Sequence, residues 1–118
     1  MELSVFDKMV ISLYTSLEKQ SIYQLLCAAM NVDGIRDKRE IAVIEEVVKL
    51  IGLSDAERVA SRSIDANQMT EILRNMGDSK KLYLGKFLAN VIIADGMVEK
   101  KEEIFFNYMC QTLGIPKL

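Results

Sequence analysis

The sequence predicts an all-α fold of seven helices in a single domain. Apolar residues recur at helical spacing from one end of the chain to the other. No segment alternates apolar and polar residues for long enough to make a strand. An Asp-Gly corner occurs twice, with the same surroundings each time. The chain has 118 residues and one Pro, so residues 1–118 are read as one domain. Half the residues are hydrophobic and 27% are charged, a composition that can bury a core.

The elements follow in order. Val5 to about Leu17 is the first helix. The second runs from Ser21 to Val32, with Ile22, Leu25, Leu26, Ala29 and Val32 on one face. The third runs from Lys38 to Ile51, with Ile41, Ile44, Val48 and Ile51 on one stripe and Gly52 as its stop. Ser54 with Glu57 is a capping-box signal for a short fourth helix, to about Arg62. Asp65 caps a fifth that ends near Gly77. Asp78 or Ser79 opens the sixth, which carries Leu82, Leu84, Phe87, Leu88, Val91 and Ile92. The seventh runs from Lys100 to Leu113, and Gly114 and Pro116 stop it. The connections are short and polar.

The informative feature is the repeat. Asp33-Gly34-Ile35-Arg36-Asp37-Lys38-Arg39-Glu40 matches Asp95-Gly96-Met97-Val98-Glu99-Lys100-Lys101-Glu102, 62 positions on, and Gly52 matches Gly114 at the same offset. This argues for two pseudo-symmetric helix–corner–helix units. Two copies are too few for a solenoid. Part of the motif is corner chemistry: Gly34 and Gly96 suit a C′ residue with positive φ, and Ile35 and Met97 then pack back on the last turn. Asp37 with Glu40 fits a capping box; Glu99 with Glu102 fits it less well, because Glu is a poor N-cap.

Asp33 and Asp95 fit that account badly. Each stands at a helix C-terminus, where the dipole disfavours negative charge by ~0.3–1 kcal/mol. Either the carboxylate reaches amides of the following helix, or a cation sits among the acids. An EF-hand loop is a partial template. With Gly34 at its sixth position, Asp33, Asp37 and Glu40 fall on ligand positions 5, 9 and 12, as do Asp95, Glu99 and Glu102 around Gly96. The front half is missing: Ala29, Asn31, Val91 and Ile93 occupy positions 1 and 3, and only Asn31 offers an oxygen. One loop alone is therefore no EF-hand. Two half-sites brought together would suit a hard cation such as calcium, magnesium or manganese rather than zinc.

Composition excludes several function classes. Lys+Arg 15 against Asp+Glu 17 gives a net charge of −2, which argues against a nucleic-acid partner held by a basic surface. His is absent, so imidazole catalysis and His-containing metal sites are excluded. No nucleophile–base pair, phosphate-binding Gly loop or cofactor fingerprint appears, and the expectation is that the chain is not an enzyme. Cys27 and Cys110 fall in apolar helical patterns and read as buried small hydrophobes. Tyr14, Tyr23, Tyr83 and Tyr108 read as half-buried core. Lys38-Arg39 and Lys100-Lys101 read as solvated first-turn residues. The N-terminus lacks a signal-peptide pattern, and the most apolar stretch, residues 82–94, is short of the ~20 needed for a membrane span. A cytoplasmic protein with no transmembrane segment is expected.

An Asp-Gly-x-x-acidic-x-x-Glu corner in two copies, the second preceded by Val91-Ile92-Ile93-Ala94, resembles the TerB tellurite-resistance family and the related helical domain of DjlA-type co-chaperones. The match covers roughly residues 20–116. The resemblance implies an all-α fold, a cytoplasmic stress-response scaffold, divalent-cation binding through Asp33, Glu40, Asp95 and Glu102 with Asp37 and Glu99 as helpers, and protein partners in a membrane-associated complex. Arg36, at the position of Val98, departs from a pattern that favours metal. The alternative expectation is a pure protein–protein interaction module in which the acidic corners are only helix caps. Residues 1–20 could pack on the core or serve as a docking arm.

Overall fold

Side chains that satisfy first-turn amides set most of the helix starts. The computed structural model describes residues 2–32 and 37–116. Helix α1 (Val5–Ile11) follows Ser4, whose hydroxyl and the Asp7 carboxylate form a capping box. Helix α2 (Ser16–Met30) follows Thr15, boxed with Glu18. Helix α3 (Lys38–Ile51) follows Asp37. Helix α4 (Asp55–Ala60) follows Ser54, boxed with Glu57, and continues into a 3₁₀ turn at Ser61–Ser63. Helix α5 (Ala66–Arg74) follows Asp65, boxed with Gln68. Helices α6 (Asp78–Ile92) and α7 (Lys100–Leu113) complete the chain. No strand occurs among the described residues. Among the described residues the protein is an all-α, single-domain bundle of seven helices.

Three boundaries of the first two helices are corrected. The expected first helix, Val5 to Leu17, breaks after Ile11, and the second begins at Ser16 rather than Ser21. The cause is Thr15, which accepts the Glu18 amide at 3.2 Å while Glu18 accepts the Thr15 amide at 2.8 Å. Helix α2 also stops at Met30, two residues early.

Helix α2 runs through the middle of the bundle and packs against α3, α4, α5, α6 and α7. Ile22, Leu25 and Leu26 of α2 are fully buried with Leu73 of α5, Leu84, Phe87 and Leu88 of α6 and Leu113 of α7. Ile41 is not part of this core; the buried face of α3 is Ile44, Val47, Val48 and Ile51. Tyr14 and Tyr83 are buried and Tyr23 is partly so, but Tyr108 stands in solvent. Cys110 is buried and Cys27 is half-buried, so only one of the two behaves as a core hydrophobe.

The elements on either side of the 62-residue offset have matching local geometry. Helices α2 and α6 each have 15 residues, and α3 and α7 each have 14. Gly52 (φ 71°, ψ 38°) and Gly114 (φ 70°, ψ 35°) end α3 and α7 in the left-handed region, which costs Gly no Cβ clash. The next residues, Leu53 and Ile115, fold back and are buried. Their amides bond the carbonyls of Val48 at 3.0 Å and Cys110 at 2.9 Å; at Gly52 the further bond of its own amide to Lys49 completes a Schellman motif, while the Gly114 amide shares the Cys110 carbonyl. Lys19 of α2 and Lys81 of α6 bring Nζ to 3.9 Å and 3.2 Å from where a Cβ on Gly52 or Gly114 would stand. Each ammonium thus sits at the negative end of a helix. The first corner itself, Asp33 to Arg36, lies outside the described residues, so the expected superposition of Asp33 on Asp95 does too.

Candidate functional site

The acidic corners are the motif singled out by the sequence. At the first, Asp37 caps α3. Its Oδ1 accepts the Arg39 amide at 2.7 Å, and the Arg39 guanidinium pairs with the same carboxylate at 3.3 Å. That guanidinium, then the amide, hold the Asp37 pKa below its usual range. Glu40, in the first turn of α3, is 1% exposed. Asp33, the other expected ligand here, lies outside the described residues.

The second corner is wider than expected. Helix α6 ends at Ile92, and Ile93, Ala94 and Asp95 form a turn before Gly96 (φ 79°), whose amide reaches the Ile93 carbonyl at 2.9 Å. Gly96 is therefore not the C′ residue of α6. Met97, expected to pack back on the helix, is 65% exposed. Asp95 stands three residues past the last turn, beyond most of the dipole's unfavourable reach. Its Oδ1 accepts the Met97 amide at 3.0 Å. This is an Asx-type turn within the corner, rather than a cap on α7. At the start of α7, Glu102 Oε1 accepts the Glu99 amide at 3.1 Å, so the weak-looking Glu99–Glu102 box does bind across the cap. Glu102, like Glu40, is 1% exposed.

The Asp37 carboxylate raises the Arg39 pKa, so the first corner pairs its acid with a cation of its own. The donors are oxygens only, the right chemistry for a hard cation. Among the described residues, no group of three or more His, Cys, Asp or Glu is placed to hold a metal ion. Lys38, Arg39, Lys100 and Lys101 are exposed.

Two clefts lie elsewhere. One, about 340 Å³, lies between α6 and α7 and is lined by Gly85, Lys86, Ala89, Phe106, Cys110 and Ile115, among others. The other, about 200 Å³, is lined in part by Cys27, Tyr23, Glu45 and Arg58. Arg58 forks onto Glu45, donates to the Tyr23 hydroxyl at 3.0 Å and lies over its ring. This closed network ties α4 to α2 and α3. Among the described residues, no helix is long and apolar enough to cross a membrane.

No family model and no curated protein matches the chain. It is similar to the crystal structure of a protein of unknown function from Porphyromonas gingivalis. That likeness has 24% identity over 89% of each chain and a TM-score of 0.77, which establishes a shared fold.

Proposed function

We propose that the chain is a non-enzymatic, cytoplasmic interaction module of the TerB-like stress-response type, whose acidic corners serve as caps and turn locks. The main support is what the corner acids already hold. Asp37 holds Arg39, Asp95 holds the Met97 amide, and Glu102 holds the Glu99 amide. Large apolar side chains left in solvent nearby fit a module that binds protein. Ile93, Met97 and Val98 line the second corner, and Ile104 and Tyr108 share a face of α7. A membrane-associated stress complex is the setting that the family resemblance suggests for such a partner.

The second reading is a weak site for calcium, magnesium or manganese across the two corners. It is favoured by the donor set, since Asp37, Glu40, Asp95, Glu99 and Glu102 offer oxygens, the ligands a hard cation takes. Melting curves separate the two readings. With the corner acids as locks, Asp37→Ala should cost ~0.5–2 kcal/mol, Asp95→Asn, which keeps an oxygen to accept the Met97 amide, should leave stability nearly unchanged, and millimolar divalent cations should leave the wild-type melting temperature unchanged. A cation-dependent rise that Asp95→Asn abolishes would replace the capping reading with the metal one. The interaction surface is tested by co-purification from the source cells. Partners retained by the wild type should be lost by a folded Ile104→Asp, Tyr108→Asp variant. A partner set unchanged by that variant would count against this face.

A further inference from the structure

The two clefts, of about 200 and 340 Å³, fall at corresponding positions along the 62-residue offset. Moving the bounds of α2 and α3 on by 62 gives those of α6 and α7. Cys27 and Ile44 line the smaller cleft; Ala89 and Phe106, 62 positions on, line the larger. The clefts differ in what they are equipped to hold.

The smaller cleft is served from within the chain. Arg58 of α4 lies 4.9 Å from the centroid of the Tyr23 ring and donates to the Tyr23 hydroxyl. The same guanidinium forks onto Glu45. Gln24, next to Tyr23, donates to Ser61 Oγ at 2.9 Å, in the 3₁₀ turn after α4. An acidic wall residue here meets a cation that α4 carries to it.

The larger cleft has the opposite fittings. Gly85 stands at the position of Tyr23, Lys86 at that of Gln24 and Asn107 at that of Glu45. All three line the cleft. The wall acid is gone and a cation has been added. No carboxylate lines this cleft among the described residues, and Lys86 makes no ion pair among them. The remaining walls are apolar, with Ala89, Phe106 and Ile115 among them.

We propose that the α6–α7 cleft binds a medium-chain fatty carboxylate. Its hydrocarbon lies against Ala89 and Phe106, and its carboxylate meets Lys86 and Asn107. Charge chooses the head group. The ammonium of Lys86 and the amide of Asn107 both donate, so an anion complements this cleft as the Arg58 guanidinium complements the other. The apolar walls choose a hydrocarbon body over a hydrated inorganic anion, which would lose its water there. Volume sets the length. About 340 Å³ is at the small end of small-molecule sites, which run roughly 300–1,000 Å³. At roughly 30 Å³ for each water-sized group, it takes about ten carbons.

The test is an NMR titration of the full, isotope-labelled chain with decanoate below its micelle concentration. Saturable shifts are expected at residues 82–89 and 106–110. Decylamine has the same chain and the opposite charge, and should bind about tenfold more weakly. Lys86→Gln, at an exposed position, should weaken decanoate about threefold to fivefold without changing the melting temperature. Lys86→Glu should weaken it further and make decylamine the better ligand. Absence of saturable shifts overturns the proposal. Shifts centred on the exposed apolar side chains of residues 5–17 overturn it too, because they mark non-specific adsorption. Equal binding of decanoate and decylamine, or binding indifferent to Lys86→Glu, overturns the carboxylate site and leaves an apolar crevice.

Discussion

Gly85 sits inside α6, where helix propensity alone makes Ala better by about 1 kcal/mol. The packing predicts the opposite sign. A Cβ on Gly85 would stand 2.7 Å from Ile115 Cγ2, against a comfortable carbon–carbon separation of about 3.5–4.0 Å. One of the two must move by roughly 1 Å. Ile115 is badly placed to do so. Its amide is tied to the Cys110 carbonyl at 2.9 Å, its side chain is β-branched and buried, and Pro116 follows. Overpacking of this kind costs ~1–3 kcal/mol, so Gly85→Ala should destabilise by a net ~1 kcal/mol once the propensity gain is subtracted. Urea unfolding followed by circular dichroism reads this as a lower midpoint at unchanged slope. The stringent test is the Ile115→Ala background, where Cγ2 is gone. There Gly85→Ala should stabilise by about 1 kcal/mol. A raised midpoint in the wild-type background, or the same loss in both, would refute the contact as the cause.

Two further outcomes follow from buried polar groups. Ser21 of α2 is fully buried and its Oγ has no hydrogen-bond partner among the described residues, so Ser21→Ala should raise stability by ~1 kcal/mol; a loss on denaturant unfolding would mean that the hydroxyl is satisfied. Burial acts to raise the Glu18 pKa, but the Lys80 ammonium and the Thr15 amide outweigh it and the net shift is downward. The stability this carboxylate contributes is therefore complete above its unfolded pKa and is lost as pH falls through the lower folded value. The stability gap between wild type and Lys80→Met should accordingly shrink on acidification from neutral pH to about 3, and a gap constant over that range would rule the pair out as its source.

Where the sequence was read correctly, the signal was local. The Ser54–Glu57 box, the Asp65 cap and the glycines after α3 and α7 each act within five residues of themselves. The Thr15–Glu18 box was equally legible and was overridden by an apolar run that continues through Leu13 and Leu17. Those two leucines turn out to be exposed, so hydrophobicity there marked a surface rather than a helix interior. What no local pattern carries is the set of long-range polar ties. Asp7 to Tyr83, Tyr14 to Lys80 and Arg58 to Tyr23 and Glu45 join residues from 13 to 76 apart. These ties, and not propensity, place α1 on α6 and α4 on α2.

The corners show why an acidic motif underdetermines function. The case for a bound cation began with Asp95 as an uncompensated charge at the end of a helix, and its force depended on where that helix ends. Ile93 and Ala94 extend the apolar run, so the sequence carries α6 up to the aspartate. The backbone leaves the helix at Ile92 instead, and the turn that follows both moves Asp95 off the dipole and gives it an amide to accept from. Each change weakens the electrostatic demand for a metal without removing a single oxygen donor. The motif's letters are therefore compatible with both roles, and the early end of α6 removes the electrostatic argument that the sequence offered for a metal.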